Sequence, residues 1–427
     1  MDNVTHALAG LLMADAATAW IERRTKTPAN RKLRRAAIGV GLIAAELPDA
    51  DLLYSGPVVG MGKLGYLLHH RGHTHTIVFA VAGALLMWWL VMTVRRRAGE
   101  SFDAREGLPL LVLALAGTLS HLLLDFTNTY GVHPFWPFDN RWVYGDAVFI
   151  VEPWLWVVAI PPLLFGARRF SGRVVLSVLL CVILAAAWTL GEMTRTLALV
   201  ITIATAFWLG LQHWIPVSRR VTAGLVAWGV VELVFAASSG QAKVAVQRPR
   251  FSDETVAEVV VSPGAGSPFC FEALVVTLTM REYRVRSATI APWPNLHLSS
   301  AMSPHACRAR ALGSRFDGLQ GVIRLPAGND PGVTWGEQWS APRAELIALA
   351  ASHCEVSGAL RFLRVPVWVR ESDASVRLSD ARFGTGTGGF TDLPVREGPC
   401  SLPARAWIPP WTPPRADVLS LPPSPAR

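Results

Sequence analysis

The sequence is poor in charged residues, which make up only 17% of its 427 positions although the formal net charge is +9. A soluble protein that binds nucleic acid through a basic surface would carry many more lysines and arginines. Hydrophobic residues instead make up 51% of the chain, and the mean hydropathy is +0.34. This composition predicts an integral membrane protein with arginine-rich loops, and no nucleic-acid partner is expected.

Two other features are absent from the sequence. It has no Cys-x-x-Cys spacing, which argues against a zinc ribbon. The N-terminus, MDNVTHALAGLLMADAA, lacks the basic segment that begins a signal peptide, so we expect it to remain in the mature protein. Cys181 lies in an apolar run and is expected to be a small buried hydrophobe. The other four cysteines can pair in three ways if their region lies in an oxidising compartment; they are Cys270, Cys307, Cys354 and Cys400.

Apolar segments of roughly 20 residues, the length needed to cross a bilayer, recur through the first 240 positions. Two weaker candidates come first, at residues 4–21 and 36–53. Six clear ones follow, at residues 77–94, 108–124, 148–165, 174–188, 197–215 and 221–237. Threading eight spans places all the basic clusters on one side, which the positive-inside rule makes the cytoplasm. The clusters lie at residues 23–35, 95–97, 168–173 and 219–220.

The character of the chain changes at about residue 241, where hydrophobicity falls and Pro and Gly become more frequent. Alternating apolar and polar residues predict strands at 255–261, 272–280, 283–290 and 361–369. The predicted fold is a mainly α polytopic membrane helical bundle, residues 1–240, with a C-terminal β-rich extramembrane domain, residues 241–402. The threading places this domain in the periplasm. A Pro-rich tail, residues 403–427, is expected to be extended or disordered.

Ionisable residues collect at the predicted outer ends of the spans. The first span begins with DNVTH, which places Asp2 and His6 one helical turn apart. The second ends in ELPDAD, where Pro48 bends or ends the helix just before Asp49 and Asp51. These two segments carry the imidazole of His6 and the carboxylates of Asp2, Asp49 and Asp51 to the same predicted face.

The third and fourth spans add histidines to this face. The third is preceded by LLHHRGHTHTIVF, which contains Arg71 and the histidines His69, His70, His73 and His75. The fourth ends in HLLLD, which places His121 and Asp125 on one helical face. Beyond it, His133 and Glu152 flank the next loop and helix. His213 lies alone on the cytoplasmic side and is expected to be an interfacial structural residue.

Each pattern alone has a simpler interpretation. The histidine-rich segment can be a solvated loop, LPDAD can simply be a turn that ends the helix, and an HxxxD pair can be a hydrogen-bonded pair. Together, however, ionisable groups at a membrane face are costly unless they have a function. Neutral imidazole and carboxylate without thiolate suit zinc or another borderline divalent metal. The carboxylates are numerous enough to allow two metals.

In this order and at these separations, DNVTHALAG, LPDAD, HRGHTHT and HLLLDFTNTYG resemble the membrane-bound metal-dependent hydrolase family, the YdjM-like inner-membrane proteins. By motif order that family is distantly similar to the zinc-dependent phospholipase C and single-strand nuclease superfamily. The resemblance implies a helical bundle that binds a divalent metal. The metal ligands it implies are His6, Asp49, His75, His121 and Asp125, with His70 next. His73 occupies a variable position of HRGxTH, and the chain has no clear late HxxxE pair, so a third metal is not expected.

These observations predict a membrane-bound metal-dependent hydrolase at the outer face of the inner membrane, acting on a phosphoester or lipid-linked substrate among membrane lipids. A bound metal would lower the pKa of water from 15.7 toward about 7. Asp51 or Asp49 would accept the proton, and Arg71 would hold an anionic oxygen. The alternative for Arg71 is an arginine that snorkels to the interface.

A second functional hypothesis is a non-enzymatic membrane scaffold or metal-handling protein. Its histidines would bind or pass metal, and its β-rich domain would bind a partner. A transporter fits less well, because Leu, Val and Ala dominate the middles of the later spans, where a transporter places ionisable groups. The sequence leaves the oligomeric state open.

Overall fold

A computed structural model describes residues 1–56, 59–99, 104–247, 251, 254–294, 314–326, 332–371, 375–395, 402 and 407–420. Its N-terminal part is helical and its C-terminal part is built on antiparallel sheets, which confirms the predicted fold class. The helices of the N-terminal part are α1 Asn3–Thr25, α2 Arg31–Glu46, α3 Leu52–Ser55, α4 Gly62–His69, α5 Ile77–Arg97, α6 Ala104–Phe126, α7 Pro153–Gly166, α8 Phe170–Thr189, α9 Arg195–Leu211 and α10 Val217–Gln247.

Local sequence sets where the helices that carry the site begin and end. The Asp2 carboxylate accepts a hydrogen bond from the backbone N–H of Thr5, which fixes the start of α1. The Thr76 hydroxyl does the same for α5 through Phe79. After α2, Pro48 stands inside a 3₁₀ turn, Leu47–Asp51, that tightens the chain before α3.

Each of the eight predicted spans overlaps a helix, but the helices differ in length. Five are long and apolar enough to cross a membrane, namely α1, α5, α6, α8 and α10. The helices α7 and α9 are apolar but shorter, with 14 and 17 residues, and α2 has 16. Large apolar side chains on α5 and α8, such as Trp89 and Val178, are exposed, as expected of a surface that faces lipid. Cys181 is likewise exposed on α8, so the prediction that it is buried is wrong.

Small residues allow α1, α2 and α6 to approach closely. A β-carbon on Gly10 of α1 would stand 2.4 Å from the carbonyl oxygen of Gly41 of α2, and one on Gly117 of α6 would stand 2.5 Å from the β-carbon of Ala44. The three helices are therefore in near backbone contact. This places the start of α1, the turn after α2 and the end of α6 together at one end of the bundle.

In the part of the C-terminal domain that the structure describes there are two antiparallel sheets. One has strand order β1-β2-β3-β5-β4 and the other β6-β7-β8. Their strands are β1 Thr255–Gly264, β2 Ser267–Leu278, β3 Glu282–Ile290, β4 Ile323–Arg324, β5 Val333–Pro342, β6 Pro366–Arg370, β7 Val376–Asp380 and β8 Leu393–Val395. The strands predicted at 255–261, 272–280 and 283–290 largely coincide with β1, β2 and β3, whereas the one predicted at 361–369 begins only at Pro366.

Aromatic side chains fill the space between the two sheets. The ring of Trp368 on β6 lies 4.9 Å from Trp339 and 5.9 Å from Tyr283 of the larger sheet. Short helices complete the domain; they are α11 Arg343–Ser352, α12 Cys354–Ala359 and α13 Ala416–Leu419. The predicted domain boundary at residue 240 falls inside α10, which continues to Gln247. Its last turns pack on the larger sheet through Ala242 and Val246.

Residues 407–420, which we name the C-terminal strap, return to the helical part. Most of the strap has no regular secondary structure, yet Trp411 is fully buried and its indole N–H donates to the carbonyl of Leu68 at 2.7 Å. For these residues the tail is therefore extended rather than disordered. Cys270 and Cys354 are each disulfide-bonded, while Cys307 and Cys400 lie outside the described residues.

Candidate metal centre

Four segments bring imidazoles and carboxylates together at one end of the helical bundle. Single ligand atoms of Asp49, His75, His121 and Asp125 all lie within 4.8 Å of one another. The Nε2 of His75 is 3.0 Å from Oδ2 of Asp125 and 3.4 Å from Oδ1 of Asp49. The Nε2 of His121 is 3.3 Å and 3.4 Å from the same two oxygens.

These separations fit the geometry of a bound ion. A tetrahedral zinc ion with bonds of about 2.0–2.1 Å holds neighbouring ligand atoms about 3.3 Å apart. The two imidazoles and Asp125 are buried, and Asp49 has 11% of its side chain exposed. Two imidazoles and two carboxylates of this arrangement can hold a divalent cation.

The outer nitrogens of the two histidines are already engaged. The Nδ1 of His121 lies 2.5 Å from the carbonyl oxygen of Ala45, to which only an N–H can donate. The Nδ1 of His75 lies 3.2 Å from Oδ2 of Asp51. With Nδ1 protonated on both rings, both Nε2 atoms present lone pairs, and these face each other at 3.2 Å. Two facing lone pairs repel unless a proton or a metal ion lies between them.

Further buried atoms of the centre lack hydrogen bonds. Among the described residues, neither ring nitrogen of His6 has a well-formed hydrogen bond. His6 is 1% exposed, its ring stacks 3.8 Å from that of His121, and its Nε2 lies 3.4 Å from Oδ1 of Asp125. Buried polar atoms without partners are costly, and a coordinated cation would satisfy them.

A second group of possible ligands shares Asp49 with the first and adds Asp51 and His70. Asp51 is fully buried and its carboxylate contacts Nδ1 of His70 at 2.9 Å and the hydroxyl of Thr74 at 2.8 Å. It also accepts the backbone N–H of Arg71 at 2.9 Å. Asp51 thus orients His70 and His75, while Asp49 belongs to both groups of possible ligands. Their overlap can accommodate one cation or a bridged pair.

Arg71 is buried at the centre rather than extended to the interface, since it is 3% exposed. Its backbone adopts the left-handed conformation, with φ of 60°, which is uncommon outside glycine. This conformation turns the guanidinium inward, where it lies 2.8 Å from Asp125, 3.0 Å from Asn128 and 4.7 Å above the ring of Tyr130. The Met1 amino group also contacts Asp125.

The charges of the loop residues are strongly coupled. Burial alone would raise the pKa of Asp49 and Asp51, but hydrogen bonds from His121, His75 and His70 hold both pKa values well below their usual range. Burial likewise opposes a charge on His75, yet its hydrogen bonds to Asp125, Asp49 and Asp51 raise its pKa to about 10. The three carboxylates therefore favour a positive charge at His75, as they would favour a bound cation.

All eight residues predicted for the site converge here, whereas other residues singled out in the sequence do not. Asp2 caps α1, and Glu152 accepts the backbone N–H groups of Trp154 and Gly266. His213 packs against Phe165. The remaining three contact the C-terminal strap. The Nε2 of His69 lies 2.9 Å from the carbonyl oxygen of Trp407. The rings of His73 and His133 pack on Trp411.

Sequence reasoning missed several residues that complete the centre. The Asn3 amide donates to Asp49 at 3.0 Å. The Thr74 hydroxyl donates to Asp51 at 2.8 Å, and the Arg71 guanidinium donates to the Asn128 side chain at 3.0 Å. Tyr130 lies beside Arg71 with its hydroxyl buried. Asn128 and Tyr130 both lie in the segment HLLLDFTNTYG that carries the resemblance, so the same segment that contains His121 and Asp125 also marks these two residues.

Comparison with known proteins supports the resemblance of the N-terminal part. Residues 1–194 match the family model described as YdjM inner membrane protein. The chain is also 34% identical over 131 residues to the inner membrane protein YbcI of Escherichia coli (strain K12), a match that covers 31% of this chain and 65% of that protein. The chain thus spans just under two thirds of the length of this relative. No solved structure matches.

Proposed function

Because residues 1–194 match the family model described as YdjM inner membrane protein, we propose that this protein is a membrane-bound metal-dependent hydrolase of phosphoesters. The single observation that carries the proposal is the pair of imidazole Nε2 atoms of His75 and His121. They face each other at 3.2 Å between two carboxylates, with both Nδ1 atoms already engaged. Such a set of lone pairs is arranged for a cation.

Zinc fits the mixture of imidazole and carboxylate ligands, and when bound it would supply a water molecule of lowered pKa and a Lewis acid. The residues of the chain provide the remaining roles. Asp49 is the partly exposed carboxylate of the centre and accepts the proton of the attacking water. Asp51 is saturated with hydrogen bonds, so its role is to orient His70 and His75 rather than to act as the base. Arg71 holds an anionic oxygen of the substrate through its planar guanidinium.

We place the centre at the outer face of the inner membrane. Basic residues lie at the opposite ends of the helices, such as Arg23 and Arg24 at the end of α1 and the Arg95–Arg97 run at the end of α5. The positive-inside rule assigns those ends to the cytoplasm. Disulfide bonding of Cys270 and Cys354 suits a C-terminal domain in the oxidising periplasm.

The test is the metal content and phosphodiesterase activity of the full chain purified in detergent. We expect wild-type protein loaded with zinc to hydrolyse a generic phosphodiester, and His121→Ala to lose both bound zinc and hydrolysis. His213→Ala is the matched control, because His213 lies at the other end of the bundle against Phe165. Full activity in His121→Ala would reject the site. Zinc binding without hydrolysis in the wild type would instead favour the metal-handling alternative.

A further inference from the structure

A cavity of about 530 Å³ lies between the metal centre and the C-terminal domain. On the helical side it is lined by Asp49, His70 and Arg71, and on the other side by Arg382 and Phe390 among others. This volume is in the range that holds a small organic molecule. The C-terminal domain lies outside residues 1–194, which match the family model, so that match does not describe its contribution to the site.

Hydrogen bonds fix the two walls of the cavity relative to each other. The Arg382 guanidinium donates to the carbonyl of Thr129 at 2.6 Å, directly after the α6 segment that supplies His121 and Asp125. The Lys63 ammonium donates to the carbonyl of Gly389 at 2.7 Å, next to Phe390. At the β1–β2 turn, the Trp154 indole donates to the carbonyl of Gly266 at 2.9 Å. The domain is thus held over the centre rather than tethered beside it.

The cavity contains a buried donor with no acceptor. Tyr130 is 6% exposed, lines the cavity and has no hydrogen-bond partner for its hydroxyl among the described residues. A phenol hydroxyl is protonated at neutral pH, so Tyr130 presents a donor to the cavity. The neighbouring Arg71 guanidinium is a fixed positive charge, and its Nε is also unpartnered within the described structure. Together these groups suit an oxygen that carries negative charge.

The remainder of the lining is largely aromatic and aliphatic. Around Tyr130 stand Phe383 and Phe390 of the C-terminal domain, with ring centroids at 6.2 Å and 6.0 Å. Phe390 is 39% exposed although it is a large apolar residue. Val148 and Ile150 line the cavity from the helical part. The lining also includes three further acidic residues: Asp2, which caps α1, Glu192, and Glu272, which is paired with Arg315.

We propose that the C-terminal domain forms the substrate-binding wall of the metal centre, and that the occupant is an anionic phosphoester carrying an apolar group. Tyr130 and Arg71 bind its phosphoryl oxygens beside Asp49, and the wall of Phe383 and Phe390 binds the apolar group. This inference rests on the proposed function, since it takes the metal centre to be the reacting site. It assigns substrate selection to a domain that the family match does not include.

The first arm of the test measures phosphate recognition by calorimetry on the zinc-loaded full chain in detergent, with inorganic phosphate, ethyl phosphate and hexyl phosphate as probes. Tyr130→Phe removes only the hydroxyl, so we expect all three probes to bind about tenfold more weakly or worse. Tyr283→Phe is the matched control. Its hydroxyl is equally buried and unpartnered among the described residues, but it lies in the core of the C-terminal domain.

The second arm measures recognition of the apolar group. We expect wild-type protein to bind hexyl phosphate at least about tenfold more tightly than ethyl phosphate, since each buried methylene contributes roughly 0.8 kcal/mol. Phe390→Ala should remove most of this preference and leave ethyl phosphate binding unchanged. Phe138→Ala, which removes an aromatic ring that is 88% exposed and outside the cavity lining, should preserve it.

Zinc content is determined in every preparation, which separates the two proposals. Wild-type protein that takes up no zinc would overturn the proposed function and this inference with it. Zinc-loaded protein that binds hexyl phosphate no more tightly than inorganic phosphate would overturn this inference alone. So would unchanged binding in Tyr130→Phe. Loss in Tyr130→Phe and Phe390→Ala with retention in both controls would support it.

Discussion

Two buried clusters of charged residues in this protein differ in whether fixed basic side chains balance their carboxylates. One is the candidate metal centre. The other, which we name the Asp146 cluster, joins the helical part to the C-terminal domain through Asp146, Lys243, Glu258, Arg364 and Arg415. In the Asp146 cluster, Arg364 donates to both oxygens of Asp146 at 2.7 Å and 2.9 Å, and Lys243 lies 3.0 Å away. Arg364 and Arg415 also flank Glu258 at 3.1 Å and 2.9 Å. Each carboxylate there has basic partners.

The metal centre has many acceptors and few fixed cations. Asp49, Asp51 and Asp125 lie close together, and the guanidinium of Arg71 reaches only Asp125 among them. The balance comes from protonated imidazole, from the Met1 amino group, or from a bound metal. Buried ion pairs that are complete stabilise a particular arrangement of the chain, whereas an excess of buried acceptors is typical of a binding site.

Neutralising one central carboxylate in each cluster should give the largest effects. Asp125→Asn removes a central candidate ligand, and we expect zinc affinity to fall by more than about a hundredfold. We also expect zinc to raise the melting temperature of this variant less than that of the wild type. Asp146→Asn leaves Arg364 without its main partner, and we expect a loss of about 3–5 kcal/mol in the free energy of unfolding. That variant should still be stabilised by zinc.

Metal analysis and thermal unfolding of the two variants, with and without zinc, check this prediction. If Asp146→Asn lost zinc while Asp125→Asn retained it, the distinction between a binding cluster and a structural cluster would be wrong.

A smaller effect is expected for Asp51, which orients histidines. Asp51→Asn should weaken zinc binding by about 10–100-fold, as changes to residues that orient metal ligands typically do. The control is Glu152→Gln. The Glu152 carboxylate is also fully buried, but it accepts backbone hydrogen bonds from the start of α7 and from the β1–β2 turn. Zinc competition with a chromophoric chelator measures both affinities. Equal zinc affinities for Asp51→Asn and wild type would show that Asp51 does not orient the metal ligands.

The smallest effect concerns pH. Burial lowers the pKa of His133 from 6.5 to about 3, so the unfolded chain binds a proton more readily than the folded one between these values. Stability contributed by neutral His133 is therefore complete above about pH 6.5 and declines as the pH falls toward 3. His133→Phe keeps an aromatic ring against Trp411 and removes the titration. Its melting temperature between pH 5 and pH 7 should vary less than that of the wild type.

A steeper acid dependence in His133→Phe than in wild type would contradict this assignment. The same measurement on His213→Ala provides a control at the opposite end of the bundle.

Much of the site could be predicted because its ligands stand at helix ends that the sequence marks clearly. Pro48 ends α2 just before Asp49, and His121 and Asp125 share a face of α6, so local patterns place each group at one end of a span. Alternating span direction then brings these ends together. Span length was harder to predict, because short apolar helices such as α7 and α9 have the composition of full spans.

The roles within the site depended on contacts that no local pattern carries. Asp49 and Asp51 are two residues apart, and only the structure shows that Asp51 is saturated by loop hydrogen bonds while Asp49 reaches the cavity. The cavity joins Tyr130 to Phe390, which are 260 positions apart in the chain. Pairings over such distances are set by the docking of the C-terminal domain, which composition alone does not specify.

The burial of Trp411 against the histidine-rich loop has a consequence for biogenesis. The ribosome makes the histidine-rich loop long before the strap, so this loop cannot reach its final packing when it is first synthesised. Its imidazoles become covered only after the strap has been made and has docked. The packing of the loop thus depends on a tryptophan that lies 343 positions after Leu68.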